Sequence, residues 1–185
     1  IPTWYNAGVP YEMNPLTLEN QGVFDVKGRS LRNMSAHSHV DWNTGELMVI
    51  DGHFDFTFRH SSSNPPLMDT LLCYDKNLLL KAKDIAKSQS LLIRKGKYCW
   101  TLGPTYETPA EIEYMHALGG DAVGMSTVPE IEEADKLGLK VLGISCLTNY
   151  AAGISSKPLT HLEVLETTER VKSQFADLIT GIIVN

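Results

Sequence analysis

The chain has 185 residues, long enough for one domain with a sizeable core and short for two. Its 43% hydrophobic and 21% charged residues, with no repetitive tract, exclude wholesale disorder. A formal charge of -6 excludes a phosphate-neutralising face, and the basic clusters Lys81-Ala82-Lys83 and Arg94-Lys95-Gly96-Lys97 read as solvated faces.

No apolar run reaches the roughly 20 residues that cross a bilayer, and Ile1-Pro2-Thr3-Trp4 has neither the basic start nor the apolar stretch of a signal peptide. Cys73, Cys99 and Cys146 are an odd set at wide spacings and read as buried thiols in a reducing compartment. A cytoplasmic location is therefore expected.

Residues 1–45 are rich in Asn, Gly, Pro and Ser and show no sustained periodicity. A strand is expected at Glu46-Leu47-Met48-Val49-Ile50 after the turn Asn43-Thr44-Gly45, followed by a loop over 57–70. Asp75 suits an N-cap, and Leu78, Ala82, Ile85 and Ala86 recur at helical spacing, predicting a helix over 76–87. The aromatic and apolar run 97–102 predicts a strand, stopped by Gly103-Pro104. Thr108-Pro109-Ala110-Glu111 forms a capping box that opens a helix whose end is Gly119-Gly120. The pattern then repeats, with a short strand at 121–125, a second capping box Thr127-Val128-Pro129-Glu130, and a helix ending at Gly138. Residues 141–145 predict the next strand, 146–158 a loop, and Thr160-His161-Leu162-Glu163 a third capping box that opens a long terminal helix.

Strands alternating with helices imply an α/β fold with a largely parallel sheet covered on both faces. Ligands in such sheets bind where strands end and helices begin, which selects 103–108, 125–128 and 145–161. In the first, Tyr106 can stack on a heterocycle while the Glu107 carboxylate accepts from ring N–H donors; the same pair also suits a plain helix start. In the second, Ser126 and Thr127 offer hydroxyls and backbone amides to an anion, or Thr127 merely caps. In the third, Asn149 can both donate and accept, and His161 opens the last helix; singly, each is as well explained by structure.

Taken together, the stretch Gly103–Glu111, the stretch Gly120–Glu130, Thr148-Asn149 and Thr160-His161 closely resemble the trimeric purine nucleoside phosphorylase family, from about Tyr98 to the C-terminus and more loosely back through Asn43–Asp51 and His53. The resemblance implies one nucleoside phosphorylase-like domain over 1–185, divergent over 1–45 and recognisable over 46–185, built on a mixed, largely parallel sheet flanked by helices. It implies reversible phosphorolysis of 6-oxopurine nucleosides such as inosine and guanosine. Inorganic phosphate would be the co-substrate, with no metal or organic cofactor, no nucleic acid and no membrane. On the same resemblance, Glu107 holds the purine N1–H side and Asn149 donates to N7 as charge builds there. Tyr106 packs on base or sugar, and Tyr98 and Met125 line the ribose pocket with Thr148 beside Asn149. His161 contacts the 5'-hydroxyl, and Ser126 and the backbone at Met34 bind phosphate. The implied assembly is a homotrimer.

The family's Gly-Ser-Gly phosphate loop has no counterpart here, and its later arginine and histidine fall where 1–10 carry Pro2 and Trp4. Its Asn-Ala-Ala-Gly-Gly turn falls on Asn33-Met34-Ser35-Ala36-His37, matching in the asparagine alone, and the loop 54–69 is shortened around Asn64-Pro65. The expectation is thus either the later part of a longer enzyme or a homologue that binds purine without efficient turnover. A third reading is a metal site from His37, His39 and Asp41 with His53, because His-x-His sets two imidazoles on one side of an extended segment.

Overall fold

The computed structural model describes residues 45–59, 65–154 and 160–184 in full, and within 1–44 the backbone of four short strands. In chain order the elements are β1 Pro2–Thr3, β2 Tyr11–Met13, β3 Asn20–Val23, β4 Ser38–His39, β5 Glu46–Asp55, β6 Leu67–Met68, α1 Lys76–Ser88, β7 Ile93–Trp100, α2 Pro109–Ala117, β8 Ala122–Gly124, α3 Val128–Lys136, β9 Gly143–Leu147, β10 Asn149–Tyr150 and α4 His161–Val184. β1, β2 and β3 form a small antiparallel sheet. The main sheet runs β10-β4-β8-β7-β5-β6, with β9 paired to β5.

The sheet is mixed. β5, β7 and β8 are parallel neighbours joined by helical crossovers, as the alternation predicts. β9 runs antiparallel to β5 and spans Gly143–Leu147 instead of 141–145; Val141 makes only an isolated bridge with Tyr74. One residue, Thr148, separates β9 from β10, although the two stand at opposite ends of the path β9-β5-β7-β8-β4-β10. A path whose ends are joined by a single residue must curl round on itself, as in a closed barrel.

Most of the predicted elements exist with shifted ends. β5 continues to Asp55 through the turn-like Asp51-Gly52, because the pairing with β7 shifts register between Ile50 and Gly52. Such a bulge inserts one residue and inverts the alternation. Leu47 and Val49 before it pack with Ala82, Ala86, Leu178 and Ile182 of α1 and α4. Phe54 and Phe56 after it lie against Ile112 and Met115 of α2. Met48 and Ile50 point the other way, to Tyr98, Trp100, Ala122 and Val128. β7 begins at Ile93, so the cluster 94–97 is sheet rather than a freely solvated face. Arg94 pairs with Glu46 at 3.0 Å, and Lys95 and Lys97 pair with Asp51 at 2.6 and 3.2 Å. The loop over 57–70 contains β6, paired to β5.

Helix starts follow their local chemistry with one exception. Asp75 accepts from the amides of Asn77 and Leu78, and Thr108 and Glu111 form the complete capping box. At the start of α4 the Glu163 amide donates to the Thr160 hydroxyl at 3.3 Å. The second box does not form: Thr127 has φ +77° and its side chain accepts no capping bond. Val128 N–H donates instead to Ser126 C=O at 2.8 Å, so Thr127 is the centre of a γ-turn with positive φ, a rare and strained conformation.

Candidate functional site

The exit of β7 and the exit of β8 are fastened to each other. The Thr101 amide donates to the Gly124 carbonyl at 2.9 Å. Gly103 takes φ +68°, and a Cβ there would overlap the Met125 sulfur, so Met125 lies directly over the turn. Only glycine meets both demands. The turn folds back on itself as the Thr101 hydroxyl donates to Glu107 Oε1 at 2.7 Å. That bond fixes one carboxylate oxygen and leaves the other available.

Tyr98 is buried with its hydroxyl facing Ser126 and Thr127. Burial pushes its phenol well above the ordinary range, against the opposing influence of those two residues. The Ser126 and Thr127 hydroxyls lie 3.1 Å apart, because the γ-turn directs Thr127 to its neighbour rather than to the helix amides. Glu130, one turn into α3, is pushed above the usual carboxylate range by burial, although the amides of Glu130 and Thr127 pull it down.

The third turn joins the first through the backbone. A Cβ on Gly153 would come within 2.8 Å of the Pro109 Cβ, and Ala151 shares a core with Ile112 and Met115 of α2. Thr148 and Asn149 are fully buried just before this contact. The Thr148 hydroxyl donates to Asn149 Oδ1 at 2.8 Å, and Asn149 Nδ2 donates to the Tyr150 carbonyl at 3.2 Å. The amide is thereby oriented with one N–H left over. Burial raises the Tyr106 phenol, helped by Glu107 and by Glu163. His161 itself is exposed.

A cleft of about 270 Å³ opens beside the first turn. Of the expected residues it takes Tyr106 and Glu107, with Thr101, Phe56, Phe58 and Tyr114 completing most of its wall; Tyr98, Met125, Ser126, Thr148, Asn149 and His161 do not line it. Sequence reasoning missed Thr101 and the aromatic wall, since nothing in the run Trp100-Thr101-Leu102 marks a hydroxyl that turns to a carboxylate six residues on. Met34, His37 and Asp41 lie outside the described residues, and of His39 only the strand backbone is described. His53 is committed elsewhere, with Nδ1 2.6 Å from the Tyr74 hydroxyl. Among the described residues no three His, Cys, Asp or Glu side chains gather as a metal site, and no helix is long and apolar enough to cross a membrane.

The model of the phosphorylase superfamily matches residues 38–184. Purine nucleoside phosphorylase 1 of Bacillus subtilis (strain 168) is 41% identical over 165 residues, 85% of this chain and 61% of that protein. The enzyme of the same name from Geobacillus stearothermophilus is 38% identical over 98% of this chain and 69% of its own length. A probable 6-oxopurine nucleoside phosphorylase of Moorella thermoacetica is 51% identical over 85% of this chain and 55% of its own. Among solved structures, Schistosoma purine nucleoside phosphorylase in complex with guanosine superimposes with a TM-score of 0.71 at 26% identity, over 80% of this chain and 60% of that one. The chain therefore spans a little over half to about two thirds of the length of these proteins.

Proposed function

The chain belongs to the phosphorylase superfamily, and on that premise we propose that it acts in reversible phosphorolysis of 6-oxopurine nucleosides, giving free base and pentose 1-phosphate. The observation that carries this reading is the Thr101–Glu107 bond at 2.7 Å, which orients a carboxylate on a turn walled by Tyr106. A carboxylate held by one oxygen presents the other as an acceptor, the group a purine N1–H requires. Asn149, its Oδ1 taken by Thr148, keeps an N–H for N7, where negative charge develops as the glycosidic bond breaks. Tyr98 and Met125 line the ribose, His161 meets the 5'-hydroxyl, and Ser126 donates to the phosphate that attacks the anomeric carbon. In this reading phosphate enters as co-substrate, and positioning plus charge stabilisation suffice without a metal or organic cofactor.

A homotrimer and a cytoplasmic location complete the proposal. Exposed apolar side chains around the cleft, Phe58, Leu102 and Tyr114, support a second copy packing there. Incubation with inosine and phosphate, followed by chromatographic measurement of hypoxanthine, tests the proposal. Phosphate-dependent hypoxanthine release supports it. Hypoxanthine binding without turnover moves the chain to a purine-binding role, and absence of both removes the proposal.

A further inference from the structure

The bulge in β5 places His53 and Asp55 on the same side of the sheet as Tyr98 and Trp100, away from α2. Beyond Asp55 the chain turns at Phe58, φ +55°, and brings Arg59 back over the strand end. The Arg59 guanidinium donates to Asp55 Oδ2 through Nη2 at 3.1 Å and through Nε at 3.3 Å, and Nε also donates to the Thr57 hydroxyl at 3.0 Å. Nη2 also donates to Glu132 Oε2 at 3.0 Å, 73 residues along the chain. The planar cation lies over Trp100, with Cζ 4.1 Å from the ring centroid. Asp55 is 3% exposed and Glu132 18%, so both carboxylates are poorly screened.

This one side chain ties three elements, β5 through Asp55, β7 through Trp100 and α3 through Glu132, and the last two carry the halves of the proposed site. Glu132 belongs to α3, whose head is the strained Ser126-Thr127 turn. Trp100 ends β7 and is followed at once by Thr101, which holds Glu107. A conformation with positive φ at a threonine persists only where its surroundings hold it. Arg59 supplies a hold that lysine cannot, since only the guanidinium fork donates to two carboxylates while lying flat on an indole.

We propose that Arg59 is a positioning residue that fixes the head of α3, and with it Ser126 and Thr127, against the end of β7. It touches no reacting atom. This inference rests on the phosphate role given above to Ser126, but its structural part does not depend on turnover.

The test compares the full 185-residue chain with its Arg59→Ala, Arg59→Lys and Glu132→Gln variants by hydrogen exchange and by inosine phosphorolysis. Arg59→Ala is expected to speed exchange over residues 126–132 by roughly tenfold or more, leaving α1 and α4 at wild-type rates. It is expected to raise KM for phosphate by about tenfold while KM for inosine stays within about twofold. Arg59→Lys should recover the phosphate KM only in part, and Glu132→Gln, whose amide oxygen still accepts from the guanidinium without the charge, should fall between the wild type and Arg59→Ala. Unchanged exchange over 126–132 in Arg59→Ala overturns the inference, as does equal loosening of the whole chain with both KM values rising together. Where the alanine variant does not fold, Arg59→Lys and Glu132→Gln are judged by the same criteria. A wild-type chain with neither turnover nor base binding ends the proposed function, and the exchange comparison alone then decides whether Arg59 holds α3.

Discussion

Glu107 offers a graded perturbation. Its Oε1 accepts from the Thr101 hydroxyl at 2.7 Å, so in the proposed role the group offered to a base N–H is the remaining oxygen of an oriented carboxylate. A hydrogen bond to a charged acceptor contributes about 1.5–3 kcal/mol, and a neutral one about 0.5–1.5 kcal/mol. Glu107→Gln can flip its amide, turning the carbonyl to the base and the NH2 to the Thr101 oxygen, so it loses only the charge. The difference of about 1–1.5 kcal/mol corresponds to roughly 5- to 13-fold weaker binding. Glu107→Ala loses the whole interaction and leaves the Thr101 hydroxyl without its acceptor, a loss of about 13- to 160-fold. Calorimetric titration with hypoxanthine measures both, and thermal unfolding of each variant controls for the fold. An alanine variant that folds and binds within about twofold of the wild type refutes the role given to Glu107.

Other consequences concern the scaffold. Thr108→Ala keeps the backbone bond to Glu111 but removes both bonds of the hydroxyl, which accepts from the Glu111 amide at 3.3 Å and donates to Glu111 Oε2 at 2.8 Å, and should lower stability by about 1 kcal/mol in denaturant unfolding; a change below about 0.3 kcal/mol contradicts that assignment. Burial holds His53 below its ordinary 6.5, against the opposing pull of Glu132, so the unfolded chain takes up the proton first. Stability should therefore be full above about pH 6.5 and fall as pH drops toward the folded value, and His53→Gln should flatten that slope; an unchanged slope excludes His53 as its source. Burial pushes the Cys73 and Cys146 thiols up to about 11, and carries the Cys99 thiol higher still. At pH 8 roughly one part in a thousand of the first two is thiolate, so alkylation should be slow in the native chain and fast in denaturant. Fast labelling of native Cys73 contradicts its buried placement.

The features visible in the sequence are those whose cause is local. The starts of α1 and α2 were legible because Asp75 and Thr108 satisfy amides two or three residues away. The turn at Gly103 was legible because its backbone demands glycine. The same reasoning failed at Thr127, where the residues of a capping box are present but the chain takes a γ-turn; what faces it there, Tyr98, comes from a different strand. β9 reads as one more strand of an alternating series, and its antiparallel partner, β5, lies about a hundred residues earlier in the chain. The bulge at Gly52 hides the second half of β5, because inverted alternation looks like the end of a strand. Around the candidate site, Tyr106, Glu107, Thr148 and Asn149 were singled out by the family resemblance, because singly each also suits a plain structural role, whereas Thr101, the hydroxyl partner of Glu107, was not. A hydroxyl that orients a carboxylate and one that faces solvent are spelled alike.

In the proposed function, Glu107 and Asn149 hold opposite edges of one purine. Diffraction from crystals soaked in hypoxanthine tests it most directly. The base is expected with its N1 side on the Glu107 carboxylate and N7 on Asn149 Nδ2, and Tyr106 against the ring. A base bound elsewhere, or one touching Glu107 with Asn149 out of reach, contradicts it.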